Sequence, residues 1–111
     1  MAYTPWVVVV ETRPFTKRID ELLSVEDYRL LQLELVRRPE AGKVIPGTGG
    51  LRKFRWAGSG RGKRGGARII YFWHRASQQV LMLFAFAKNE RDDLTFAQRR
   101  ALRRIVETEY P

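Results

Sequence analysis

The chain has 111 residues and no cysteine, with 44% apolar and 30% charged residues and a formal net charge of +9. That length suits one domain spanning 1–111 with one hydrophobic core, and the apolar share excludes a disordered chain. Without cysteine there are no disulfides, no thiolate zinc sites and no cysteine nucleophile.

The first predicted element is a strand over roughly residues 6–11, where Trp6-Val7-Val8-Val9-Val10 forms a β-branched run behind Pro5 and reads as buried. That run is far short of the roughly 20 residues needed to cross a membrane. It also lacks the flanks of a signal peptide, so a cytoplasmic protein with no membrane partner is expected. Pro14 suits a first helical turn, and Phe15, Ile19, Leu22 and Leu23 recur on one helical face. Ser24 followed by Glu26 and Asp27 caps a second helix. Its stripe is Tyr28, Leu31, Leu35 and Val36, and Pro39 ends it. The two helices are expected to pack as a hairpin on a sheet.

Residues 40–50 are rich in glycine and proline and read as a loop. Three strands follow: Leu51–Ala57, Ala67–Arg75 and Val80–Ala87. In the first, Lys53 and Arg55 share one face and Phe54 and Trp56 the other. The last is apolar almost throughout, as for a central strand covered on both faces. Thr95 with Gln98 forms a capping box for a final helix. Its stripe is Leu102, Ile105 and Val106, and Arg99, Arg100, Arg103 and Arg104 are expected on the opposite side. The order β-α-α-β-β-β-α predicts an α+β fold with a small antiparallel sheet packed against an N-terminal helical hairpin.

The charge is not spread evenly. Residues 1–40 hold six basic and seven acidic side chains, and residues 90–111 hold five of each. Residues 41–89 hold ten basic side chains and no acidic one, so the excess lies wholly in the middle. A localised excess of this kind points to a polyanion partner.

Several motifs fall in that zone. Gly60, Gly62 and Gly65 match G-x-G-x-x-G, but a strand rather than a helix follows, which rejects a dinucleotide site. Lys63 is followed by Arg64 and not by Ser or Thr, which rejects a Walker P-loop. What remains is a hairpin loop whose Arg61, Lys63 and Arg64 suit the phosphates of a polyanion. Arg68 begins the next strand and can face Lys53 and Arg55. Three cations on neighbouring strands repel one another unless an anion sits between them, which is the geometry of a phosphate clamp. Among Tyr71, Phe72 and Trp73, mostly core, one exposed ring is available to stack on a base. His74, the sole histidine, reads as structural. Glu90, Asp92 and Asp93 precede the last helix and suit its dipole, so no metal and no other cofactor is expected.

Three segments taken together carry a family resemblance. They are Thr48-Gly49-Gly50-Leu51-Arg52-Lys53, the run from Gly62 through Lys63-Arg64-Gly65-Gly66-Ala67-Arg68 to Tyr71, and Ala87-Lys88-Asn89-Glu90. They resemble the HigB-like branch of the RelE toxin superfamily. The resemblance implies a toxin of a bacterial type II toxin–antitoxin pair that enters the ribosomal A site and cuts mRNA there. It implies catalytic roles for Lys53, Arg55, Arg68 and Lys88, with Arg52 and Asn89 joining Arg61, Lys63 and Arg64 as RNA contacts. The implied partners are mRNA, the ribosome and its rRNA, and a cognate antitoxin of helix-turn-helix type, with operator DNA reached only through that antitoxin. Some relatives carry a catalytic tyrosine near the C-terminal helix, where this chain has Phe96, which has no hydroxyl, and Tyr110 is available without an assigned place.

RNA supplies its own nucleophile, the 2′-hydroxyl. The protein must stabilise the phosphorane charge and move two protons. Arg55 and Arg68 are assigned to the charge. Lys53 or Lys88 is the candidate acid or base, provided neighbouring cations lower its hold on the proton. Two competing readings are a ParE-like gyrase inhibitor and a non-catalytic nucleic-acid-binding module.

Overall fold

The computed structural model describes residues 6–57, 66–90 and 93–111. Its strands are β1 (Val8–Glu11), β2 (Lys43–Val44), β3 (Leu51–Trp56), β4 (Ala67–His74) and β5 (Gln79–Ala87). Its helices are α1 (Arg13–Leu22), α2 (Val25–Arg37) and α3 (Phe96–Glu109). The class is α+β, with all five strands in one sheet of order β1-β5-β4-β3-β2.

Three features differ from the sequence-based expectation. The sheet is mixed, because β1 pairs parallel with β5 while the other neighbours are antiparallel. The two-helix connection after β1 leads the chain away from the strand's end, so β1 never has to form a hairpin. The second feature is β2, which lies inside the expected loop. There Lys43 pairs with Lys53 and Val44 with Arg52, and Ile45 N–H donates to Leu51 O at 2.8 Å. β1 is also an edge strand and not a buried one. Trp6 is 84% exposed and Val8 half exposed, while Val7 and Val9 pack toward one core and Val10 toward the other.

The sheet divides two cores. α1 and α2 send Phe15, Ile19, Leu31 and Leu35 against Ala67, Ile69, Tyr71, Val80 and Met82. On the opposite face α3 sends Leu102 and Val106 against Leu51, Ile70, Leu81 and Leu83. Burying each of these large side chains contributes about 1.5–3 kcal/mol. β5 alternates between the two cores, as its apolar run predicts. A bulge interrupts that alternation: Ile70 pairs with Phe84 and Tyr71 with Met82, so Leu83 is the extra residue. Leu83 and Phe84 both join the α3 core as a result.

The predicted caps are present. Ser24 Oγ accepts from Asp27 N–H at 3.1 Å. Thr95 and Gln98 form the reciprocal capping box that starts α3.

Candidate functional site: a cationic cluster under the start of α3

Strand alternation divides β3 between the two faces. Leu51 belongs to the α3 core and Phe54 and Trp56 to the other, so Lys53 and Arg55 face α3. On β4, Ile69 and Tyr71 face α1 and α2 while Ile70 faces α3, which puts Arg68 on the α3 side. Arg55 and Arg68 are directly opposite in the β3–β4 ladder. Side chains so placed are about 5 Å apart at Cβ, and like charges there repel. Lys53 is one step along the same face, about 7 Å away. The sheet thus assembles the three cations that the spacing of 53, 55 and 68 predicts.

Their environments differ. Arg68 is only 7% exposed, an unusually deep position for a guanidinium. Arg55 is exposed. The Lys53 side chain is 15% exposed, and its ammonium donates to Asp93 Oδ1 at 2.8 Å. The hydrogen bond from Lys53 holds the Asp93 carboxyl below its usual range, helped by the positive charges of Lys53, Arg99 and Arg55. Asp93 therefore turns to the sheet cations, and not to the α3 dipole as the sequence reading had it. The capping box already serves the helix end.

Arg99 is a residue of the cluster region that sequence reasoning misplaced. It was expected on the outer side of α3, yet it is half-buried, and its Nε is buried with no hydrogen-bond partner among the described residues. The signal was available: 99, 102 and 106 recur at i, i+3 and i+7, so Arg99 continues the Leu102–Val106 stripe toward the sheet. Arg103, one turn further, lies over Gly49, where an added Cβ would come within 2.1 Å of its Nη1. Gly49 also has a φ of +74°, which favours glycine. That helix-to-loop contact gives the Thr48-Gly49-Gly50 motif a structural role. Thr48 Oγ1 adds to it by donating to Ile45 O at 2.6 Å and accepting from Leu51 N–H at 3.1 Å.

The other candidates sit further out. Lys88 is exposed, one residue past β5, where its N–H donates to Gly66 O at 3.3 Å at the same end of the sheet as Arg68. Asn89 is exposed in the same turn. Arg52 points to the opposite face, and its Nη1 donates to the carbonyls of Gly42 at 2.7 Å and Glu40 at 3.2 Å. It braces the loop before β2 and does not join the cluster. Arg61, Lys63 and Arg64 lie outside the described residues, as does Asp92.

Among the aromatics, Tyr71 is fully buried and Phe72 and Trp73 are partly buried in opposite cores. Phe96, in the first turn of α3, is 72% exposed with Arg100 over its ring. Tyr110 stacks on His74 at 3.9 Å and donates to Gln79 Oε1, at the other end of β4 from Arg68, roughly 20 Å away. The structure thus excludes Tyr110 from the cluster and leaves His74 structural, with its Nδ1 against Ser77 Oγ at 2.7 Å.

A five-stranded sheet with a two-helix layer on one face and a C-terminal helix on the other is a fold shared with a known class. The model for the RelE toxin of the RelE/RelB toxin–antitoxin system covers residues 9–109, which makes this protein the toxin of a toxin–antitoxin pair. More narrowly, the chain belongs to the RelE toxin family. A double arginine mutant of the E. coli toxin RelE in the free state has a similar fold. It matches with a TM-score of 0.58 and 16% identity, over 78% of this chain and 87% of that one. None of the helices described is long and apolar enough to cross a membrane.

Proposed function

We propose that the protein is a ribosome-dependent endoribonuclease that cuts mRNA in the A site without a metal and so stops translation. A single domain, residues 1–111, acts in the cytoplasm and is held in check by an antitoxin of helix-turn-helix type, through which it reaches operator DNA. The observation that carries the reading is the directly opposed pair Arg55 and Arg68, with Lys53 on the same face. Like charges gathered on one face in this way attract an anion, and a phosphodiester is an anion that guanidinium forks fit.

In the reaction the 2′-oxygen attacks phosphorus and the bond to the 5′-oxygen breaks, leaving a 2′,3′-cyclic phosphate and a 5′-hydroxyl. Arg55 and Arg68 donate to the non-bridging oxygens, where negative charge grows. In this reading Lys53 or Lys88 gives a proton to the departing 5′-oxygen. The 2′-hydroxyl proton needs another acceptor, because Asp93, the carboxylate at the cluster, is a weakened base. Water or a ribosomal group serves that role, and the ribosome holds the RNA in the bent geometry that in-line attack requires. Lys88 and Asn89 reach the RNA from the turn after β5, and Arg61, Lys63 and Arg64 grip its backbone.

The test is in vitro translation with 5′-end mapping of the mRNA, run beside a plasmid supercoiling assay. Codon-linked cuts that need ribosomes, with gyrase unaffected, are expected. Inhibited supercoiling with intact mRNA would replace this reading with the gyrase one.

A further inference from the structure

The cation cluster already holds an anion in the free protein, and that anion belongs to the chain. Asp93 Oδ1 accepts from Lys53 Nζ at 2.8 Å. The positive charges of Arg55 and Arg99 also act on the carboxylate. The Arg99 Nε is buried and has no hydrogen-bond partner among the described residues. The two halves of the ion pair are anchored unequally. Lys53 rises from the middle of the sheet with its side chain 15% exposed, whereas the Asp93 side chain is 56% exposed, two residues ahead of the Thr95 cap. The carboxylate is therefore the outer partner and the one free to leave.

We infer that Asp93 is a built-in stand-in for the substrate phosphate: its carboxylate fills the anion seat formed by Lys53, Arg55 and Arg99, and an incoming phosphodiester displaces it. This inference rests on reading the cluster as a phosphate site. An exposed ion pair is worth at most about 1 kcal/mol, so opening it is cheap. A phosphate brings a full charge and several acceptor oxygens, which the guanidinium forks engage better than one carboxylate oxygen does. In the free toxin the carboxylate offsets like-charge repulsion. In the complex it would repel the phosphate, so it has to move aside. Asp93 therefore sets how tightly free RNA and other polyanions bind away from the ribosome.

The experiment measures two probes on the full chain. Anisotropy follows a short, fully 2′-O-methylated RNA, which has no free nucleophile and cannot be cut, and calorimetry follows inorganic pyrophosphate. Asp93→Asn and Asp93→Ala are each expected to bind both probes about two- to fivefold more tightly than wild type at low salt. The gain should fade as ionic strength rises. It should shrink in a Lys53→Met background, because Lys53 holds the carboxylate by its hydrogen bond. Equal or weaker binding by both Asp93 variants, with far-UV dichroism unchanged, overturns the inference and makes Asp93 a positioning residue for Lys53. The underlying phosphate-site reading fails by a different signature, in which Lys53→Met and Arg55→Ala leave RNA binding unchanged.

Discussion

Tyr71 shows how one side chain supports a site it does not enter. Its ring is fully buried against α1 and α2, while its hydroxyl donates to Pro39 O at 2.7 Å and accepts from Gly42 N–H at 2.9 Å. Those bonds hold the turn between α2 and β2 against β4, and the close approach leaves no room for a Cβ at Gly42. Tyr71→Phe keeps the packing and strands two backbone groups, which costs about 1–3 kcal/mol. A melting temperature lower by several degrees, with toxin activity retained, is expected in calorimetry. Burial also raises the Tyr71 phenol above its ordinary value. A raised acid contributes stability that is whole below about pH 10 and is lost as the pH climbs through the folded value. Stability should therefore fall more steeply above pH 10 in wild type than in Tyr71→Phe. Asp93 behaves in the opposite sense. Its lowered value gives stability that is present at neutral pH and lost as the pH drops through the carboxylate range, by an amount reduced by its exposure.

At the scale of elements, α3 both closes the second core and aims the site. Its start is set by the Thr95–Gln98 box, and its inward stripe carries Arg99 and Leu102 to the sheet. Thr95→Ala removes that cap and is expected to cost about 1 kcal/mol. Because the first turn also places Phe96 and Arg99, the same variant should weaken RNA binding, as anisotropy can show. This prediction fails if stability drops and RNA binding does not. The long periodic elements were legible in the sequence because periodicity reports directly which face is buried. That covers α1, α2, α3 and β3 to β5, and the shared face of Lys53, Arg55 and Arg68. What was not legible depends on partners far along the chain. The pairing of β1 with β5 joins Val8 to Gln79, and no local pattern encodes it. β2 is two residues long and exists because β3 offers an edge. Asp93 reads locally as a helix-dipole acid, and its bond to Lys53 spans 40 residues. Arg52 lies beside Lys53 in sequence but on the other face, which strand alternation could have separated from the cluster.

For the whole molecule, the +9 charge resolves into parts with different tasks. Arg52 braces a loop, Arg18 pairs with Glu21 and Glu90, and Arg103 covers Gly49. Lys53, Arg55, Arg68 and Arg99 converge under the start of α3, where charge is concentrated without a histidine. A site of that makeup stabilises a transition state well and moves protons poorly, so chemistry should be slow on free RNA and fast only where the ribosome supplies geometry. The most direct measurement is the single-turnover rate of mRNA cleavage on programmed ribosomes for wild type, Lys53→Ala, Arg55→Ala and Arg68→Lys, with folding verified by dichroism. Losing one charge-stabilising donor costs about 100- to 1,000-fold, and a lysine cannot reproduce the guanidinium fork at 68. Rates lower by at least about 100-fold in all three variants are expected. Folded variants that cleave at the wild-type rate would contradict the assignment of this cluster to catalysis.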